Sequence, residues 1–465
     1  MDGKTSGEIA REPAAVHKET GMDVSVQRRE SAASPFAAPT AKPFDARVIV
    51  VATIGNALEW FDFTVFSFFA AIIAKQFFPS DNPTASLLAA WTTFGVGFLT
   101  RPLGGIVLGN YADRHGRKSA LVVTISLMAV GVGIIALAPT YSQIGIFAPI
   151  LMLIGRFFQG FSAGGEVGSA TAFLVEHAPV ERRGVYGSFQ MISQACSMLL
   201  GALTGVALTR LLSTQQLEDF GWRIPFMLGL LIVPVGLYVR SKLDESPVFK
   251  QHAQHAQRAP SAKAPFLESI AVHWRAILAG FGLTVYGTIG TYIFYYYMPS
   301  YATKTLDIPF ASSVIASCCA AIAYIAATFA SGWISDKVGR KKPMIASTLL
   351  SLVISYPLFA MLTSHPTLPV LIFVQCCLMA SLGLFQGSYC AFVCELFPAH
   401  VRSTGMAIGY NFAVMIFGGF AGAIATLLIK ITDDKLAVVY YGLFGCVIGL
   451  VTIALLKDRS KQPLM

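Results

Sequence analysis

The sequence predicts an all-α membrane protein, with twelve transmembrane helices in two pseudo-symmetric six-helix bundles. Three observations carry that expectation: few charges, twelve apolar runs of membrane-spanning length, and an internal repeat that relates the two halves of the chain.

Charged residues make up only 13% of the 465 positions and hydrophobic residues 55%. Soluble domains usually carry about a quarter of their residues as Asp, Glu, Lys and Arg. Here the charges gather between long apolar runs instead of forming one face of each helix, so lipid is the main solvent. The net charge of +9 does not indicate nucleic-acid binding, because nearly all Lys and Arg lie in tails and short connections. The eight cysteines, Cys196, Cys318, Cys319, Cys376, Cys377, Cys390, Cys394 and Cys446, all sit in apolar stretches and form no CxxC pair. They read as small apolar residues, not as a metal site or a disulfide framework.

A helix needs about 20 apolar residues to cross a bilayer. Runs that satisfy this cover approximately 47–74, 86–112, 119–138, 145–176, 184–210, 222–240, 275–301, 310–335, 343–363, 367–396, 403–430 and 436–456. Residues 1–45 are polar and lack an apolar signal region, which predicts a disordered cytoplasmic tail. The even number of runs puts both termini on one side. Twenty-six Lys and Arg fall on that side, in the tail and its connections, and only Lys75, Arg210, Lys304, Lys430 and Lys435 on the other. By the positive-inside rule both termini are cytoplasmic. The expected organisation is a tail over 1–45, a first bundle over 46–240, a cytoplasmic linker over 241–274, a second bundle over 275–456 and a short tail over 457–465. The linker's HAQHAQ histidines read as solvated polar sequence.

The repeat is explicit. Gly109, Asp113, Gly116, Arg117 and Lys118 recur as Gly332, Asp336, Gly339, Arg340 and Lys341, each 223 positions later. Glu176 precedes Arg183 by seven residues, and Glu395 precedes Arg402 by seven. Parallel six-helix repeats imply two bundles that rock about a midplane site.

The doubled GxxxDRxGRK-type loop resembles the cytoplasmic signature of the major facilitator superfamily. GNALEWFDF (55–63), FLTRPLGG (98–105), GRFFQGFSAGGEVGSA (155–170), GWRIPF (221–226) and ESPVF (245–249) resemble its metabolite–proton symporter branch. Members of that branch carry citrate, α-ketoglutarate, other organic acids, shikimate, proline or betaine. The resemblance implies that the loops latch the cytoplasmic side. Asp113, Arg114, Arg117, Asp336 and Arg340 are the loop candidates, and Glu176 with Arg183 and Glu395 with Arg402 are expected to serve the same gate. It also implies that the first, fourth, seventh and tenth helices line the cavity.

Carboxylates inside a membrane by default mark an ion pathway with a nearby partner. Glu59 and Asp62, three residues apart in the first run, are candidates for proton coupling, as is Glu166. Apart from loops and tails, the basic residues are Arg101, Arg156 and Arg223. Arg223 opens the sixth helix and can snorkel. Arg101 and Arg156 need either a carboxylate of the chain or an anionic substrate, whose two oxygens the planar guanidinium fork matches. Both uses remain open at this stage. Glu166 lies ten residues beyond Arg156, about 15 Å along a helix, so the two are not on one level. Asn56, Gln159, Tyr292 and Gln386 are candidate neutral substrate contacts, with Tyr286 beside Tyr292 on the seventh helix and Gln375, Ser388 and Tyr389 beside Gln386 on the tenth. Successive residues turn about 100°, so Tyr295, Tyr296 and Tyr297 cannot share one cavity, and some belong to an interfacial aromatic belt.

These readings point to a proton-coupled importer of a small organic carboxylate, acting as a monomer in a bacterial inner membrane. A proline, betaine or shikimate symporter is the alternative, and a non-transporting sensor of the same fold a third. No cofactor is called for beyond the proton. No nucleophile with a matching base indicates an enzyme, and no Walker motif indicates ATP-driven transport.

Overall fold

A computed structural model describes the backbone at residues 46–115, 117–241, 265–398 and 401–460, with 462 and 464. The tail expected over 1–45, most of the expected linker, its HAQHAQ histidines and the side chains of Asp113, Arg114 and Arg117 lie outside the described residues.

Among the described residues the secondary structure is helical throughout. The principal helices are α1 (Ala46–Phe77), α2 (Pro83–Leu99), α3 (Arg101–His115), α4 (Arg117–Leu137), α5 (Phe147–Ala163), α6 (Glu166–Glu176), α7 (Arg183–Leu211) and α8 (Ile224–Ser241). They continue as α9 (Pro265–Thr291), α10 (Met298–Lys304), α11 (Phe310–Val338), α12 (Lys341–Ser364), α13 (Leu368–Cys394), α14 (Arg402–Ala413), α15 (Ala421–Thr432) and α16 (Ala437–Leu455). Each of the twelve apolar runs is occupied by helix. Nine helical stretches among the described residues are long and apolar enough to cross a membrane, and Val122–Leu137 is a shorter apolar one. The expected linker differs at its end: helix begins at Pro265, and the backbone is non-helical only at His273.

Four spans are interrupted, and each interruption has a local cause or use. Thr100 separates α2 from α3, and Gly164–Gly165 separate α5 from α6. Single π-helical turns at Tyr292–Tyr296 and Val414–Gly418 interrupt the spans of α9–α10 and α14–α15. Broken backbone at membrane depth persists where it is enclosed by protein or lines a cavity, and π-turns recur at functional sites.

The outer face is apolar, and the interior is a large apolar core into which buried polar and charged groups are set. Val353 is 70% exposed and Leu455 81%, whereas Arg101 and Arg156 are fully buried. Lipid solvates the outer aliphatic side chains without penalty, so the folding constraint falls on the interior polar groups. Backbones approach closely where Cβ atoms are absent. A Cβ at Gly160 would fall on the Gly97 carbonyl, and one at Gly104 on the carbonyl of Phe161. These glycines bring α5 against α2 and α3, and so set Arg156 and Arg101 facing α1.

Contacts between the first six and last six spans occur at both ends of the bundle. Helix α7 packs along α11 from Gly184 against Gly332, near the second repeated loop, to Gly205 against Val314 toward the opposite end, while α7 also packs on α13 and α14 on α6. At the opposite end α15 packs on α2, Trp91 meets Tyr297 at 5.6 Å and Phe69 meets Phe310 at 5.5 Å between ring centroids.

The carboxyl-terminal segment is docked. Asp458 accepts from the Lys341 amide at 3.0 Å and the Ser460 amide at 2.9 Å, while the Lys341 ammonium caps the carbonyls of Ala454 and Leu456. Gly339, with φ of 93°, makes the turn beneath Asp458, where only glycine avoids both strain and collision. Partial burial pushes the Asp458 carboxyl up. The amide hydrogen bonds and the nearby Arg340 outweigh it and hold the group below the ordinary aspartate range.

Two outcomes follow. Gly160→Ala should lower stability by about 1–3 kcal/mol, the usual result of overpacking, whereas Gly205→Ala, which would press only on the Val314 side chain, should lower it less. Thermal midpoints in detergent read both. Asp458→Asn should lower the midpoint above about pH 5, where the wild-type carboxylate contributes fully. Because the folded group titrates below its unfolded value of about 3.9, this difference should fade as the pH falls through and below that value.

Candidate functional site

Between the two sets of contacts lies a cavity with an empty volume of about 310 Å³, lined by Trp60, Met191, Gln194, Thr284, Gly287, Thr288, Thr291, Tyr292, Gln386, Tyr389 and Tyr410. None of these residues carries a formal charge. Thr284, Thr288 and Thr291 recur at the four-then-three spacing of one helix face, and Gln194 projects from α7. Sequence reading passed over them and Tyr410; that polar stripe in an apolar helix was the available signal. Tyr292 and Gln386 lie in the wall as expected, and the Tyr292 hydroxyl and Gln386 Oε1 have no hydrogen-bond partner. Thr284 and Tyr389 share a hydrogen bond of 2.7 Å.

Beside the cavity sits a charged cluster built on α1. Arg101 Nη2 lies 2.7 Å from Glu59 Oε1, with both side chains buried. The guanidinium carbon stands 5.2, 5.0 and 4.6 Å from the ring centroids of Trp60, Phe63 and Phe98. Of the two uses open to Arg101, the structure displays pairing with an acid of the chain.

Arg156 is placed differently. Its Nη1 donates to Gln159 Oε1 at 2.8 Å, and its guanidinium lies 3.7 Å from the Phe66 ring centroid, with Phe94 and Phe63 at 5.3 and 5.4 Å. Its Nε and Nη2 have no hydrogen-bond partner; no carboxylate among the described residues lies within ion-pair distance of it, and Asp62 is the opposing charge that acts on it from farther off. Asp62 is also buried, its Oδ1 lacks a hydrogen-bond partner, and it packs against Gly229. Phe63 is the shared wall: one ring contacts both guanidinium groups.

Other candidates take different places from those expected. Asn56 Nδ2 donates to the Gln190 carbonyl at 3.2 Å and to Ser193 Oγ at 2.9 Å, and its Oδ1 accepts from Trp60 Nε1 at 3.0 Å. It therefore anchors α1 to α7 and commits both of its amide hydrogens within the first six spans. Gln159 holds Arg156 and lies outside the cavity lining. Glu166 begins α6 beyond the break at Gly164–Gly165, outside ion-pair reach of Arg156. The tyrosine run is not interfacial: Tyr295, Tyr296 and Tyr297 are all buried. Tyr295 donates to the Met198 carbonyl and Tyr297 pairs with Thr426. The π-turn allows this, since it changes the angular spacing on which the belt expectation rested. Gln375 donates to the Phe294 carbonyl and Ser317, and Arg223 to the carbonyls of Asp219 and Ala138.

At the end bearing the second repeated loop, the expected acid–base pairs exchange partners. Glu176 pairs with Arg402 instead of Arg183, and Glu395 lies 3.4 Å from Arg340. Arg340 also holds Asp336 at 2.6 Å, and Asp336 accepts from the Gly184 and Val185 amides at 2.7 and 3.0 Å. Those are unsatisfied amides at the start of α7, a natural carboxylate site. Arg183 donates to the Gln462 carbonyl at 3.0 Å. The exchange arises because each sequence echo places its acid and base along one helical connection, whereas the folded chain presents them across the seam.

The sequence matches the family described as the Major Facilitator Superfamily over residues 52–423, and again over 315–464. The citrate-proton symporter of Klebsiella pneumoniae is 38% identical, over 90% of this chain and 93% of that protein. The proline/betaine transporter of Escherichia coli (strain K12) is 33% identical, over 90% of this chain and 84% of its own. In fold alone, the chain is similar to the xylose transporter XylE from E. coli in a partially occluded inward-open conformation. The TM-score is 0.72, with 17% identity over 90% of this chain and 99% of that one.

Removing the Glu59 charge tests the cluster. Glu59→Gln should destabilise the protein by about 3–5 kcal/mol, because it leaves the buried Arg101 uncompensated. The double variant Glu59→Gln/Arg101→Gln should recover a substantial part of that loss. Denaturation midpoints of the three variants give the coupling.

Proposed function

Because the chain belongs to the Major Facilitator Superfamily, we propose that it is a proton-coupled symporter importing a small organic carboxylate by alternating access. Arg156 carries this reading. It is a buried guanidinium with two nitrogens lacking hydrogen-bond partners and, among the described residues, no carboxylate at ion-pair distance, Asp62 acting on it only from farther off, and a carboxylate substrate would complete it bidentately. The citrate-proton symporter relative supports the same class. Glu59 and Asp62 are the proposed proton carriers, with Glu59 held by Arg101 until protonation weakens the pair. Glu166 is retained as a peripheral candidate.

In this reading the spans over 46–240 and 275–456 rock as two bodies, with both termini cytoplasmic and the monomer as the working unit in a bacterial inner membrane. The Glu176–Arg402 and Asp336–Arg340–Glu395 contacts, with Arg183, act as the cytoplasmic latch. Asp113, Arg114 and Arg117 are proposed as its counterpart in the first half.

A second reading has its own observation. The cavity lining is uncharged and rich in aromatic rings, a setting that suits a zwitterion such as betaine or proline through cation–π contact and neutral donors. The proline/betaine relatives support that alternative.

Uptake into proteoliposomes under an acid-outside pH gradient separates the readings. The panel is citrate, α-ketoglutarate, succinate, shikimate, proline and betaine. The expected result is gradient-dependent accumulation of an acid. Arg156→Lys, which keeps the charge but loses the planar fork, should raise KM about tenfold or more, equivalent to roughly 1.4 kcal/mol. Accumulation of proline or betaine alone would move the substrate class to the second reading.

A further inference from the structure

We infer that Trp60 is a positioning residue that seals the Arg101–Glu59 pair from the transport cavity and ties its exposure to the separation of the two halves. The consequence for coupling rests on the proton-symport reading above; the seal itself does not.

Trp60 is the residue of α1 in the cavity wall, and its ring also contacts the guanidinium of Arg101. It therefore stands at the boundary between an uncharged cavity and a buried ion pair. Glu59 precedes it by one residue, so about 100° of helix rotation turns the carboxylate away while the indole faces the cavity. Arg101 Nε and Nη1 have no hydrogen-bond partner; aromatic rings stand against the guanidinium instead. The pair is buried, and the indole is the part of its enclosure that both meets the cavity and lies against the guanidinium, with Tyr292 and Tyr410 beside it in the wall.

The indole is held from two directions. Its Nε1 donates to Asn56 Oδ1 at 3.0 Å, and Asn56 is fastened in turn to α7. Its face stacks on Tyr296, with centroids 6.2 Å apart and planes 15° from parallel. Asn56 and α7 belong to the first six spans, whereas Tyr296 belongs to the π-turn of the seventh. Separation of the halves on this side would withdraw the Tyr296 ring while Asn56 stayed in place. The indole would then lose its stacking partner, and water could reach Glu59 in the state whose cavity is open. Such an arrangement lets one movement open the substrate path and expose the proton site.

Carboxyl labelling tests the seal without requiring any transported substrate. Purified protein is treated with a water-soluble carbodiimide and an amine, and incorporation at Glu59 and Asp62 is measured by peptide mass spectrometry. Trp60→Ala should raise the labelling rate at Glu59 roughly fivefold or more, as expected when local protection is lost, and leave Asp62 near its wild-type rate. Asn56→Leu should give an intermediate rise, and Trp60→Phe, which restores a ring, should return most of the protection. Unchanged labelling of Glu59 in folded Trp60→Ala protein, or an equal rise at Asp62, would overturn the inference. If Trp60→Ala does not fold, Asn56→Leu against Trp60→Phe decides by the same criteria. Once a substrate is known, Trp60→Ala should also show proton leak without substrate, with Trp60→Phe largely coupled. Absence of proton-driven uptake in the wild type would count against the symport reading and leave the labelling result standing.

Discussion

A guanidinium inside an apolar bundle must find its counter-charge within the protein or in a ligand, and much of this structure is arranged around two such groups. Arg101 finds Glu59. Arg156 finds an amide oxygen and three phenyl rings but no carboxylate at ion-pair distance. The difference is geometric: both arginines face α1, yet only Arg101 has an acid at ion-pair distance, whereas Asp62 acts on Arg156 from farther off. Placing two cations beside one shared ring, Phe63, is tolerable because Glu59 neutralises one directly and Asp62 is an opposing charge for the other.

The backbone serves that arrangement. Gly104 and Gly160 let α3 and α5 approach to backbone contact, which sets the depth of Arg101 and Arg156 relative to α1. Prevented from wandering, the arginines act as fixed electrostatic features instead of mobile side chains. The irregular turns do related work. The π-turn at Tyr292–Tyr296 brings Tyr292 to the cavity wall and Tyr296 onto Trp60, while Tyr295 and Tyr297 take separate partners on α7 and α15. A regular helix would distribute those four rings differently.

Contacts between the halves at both ends flank the cavity in this conformation. One end is sealed by aromatic packing, which is short-ranged and tolerant of sliding. The other is sealed by charged contacts, directional and partly buried, with Asp336 reading the free amides at the start of α7. The docked carboxyl-terminal segment extends this second seal, since Gln462 receives Arg183 and Asp458 sits over the turn at Gly339. The two ends thus oppose opening by different physics, one chiefly through dispersion and exclusion of lipid and water, the other through charge-assisted hydrogen bonds.

The sequence by itself determined the helical class, the approximate spans, the repeated loop and the identity of the interior charges. Each of these is written in local composition and spacing, because a bilayer demands long apolar segments and makes every interior charge conspicuous. What only the tertiary structure decided is who meets whom. Glu176 and Arg183 look like partners at seven residues' separation, but Arg402 arrives from the other half and takes the acid. Asn56 looks like a cavity contact but spends its hydrogen bonds on α7 and Trp60. Arg101 and Arg156 are indistinguishable as sequence, and their division into one held in a direct ion pair and one without depends on the register of three helices. Contacts between helices far apart in the chain follow from crossing depth and rotation about each axis, and local sequence leaves both of these open.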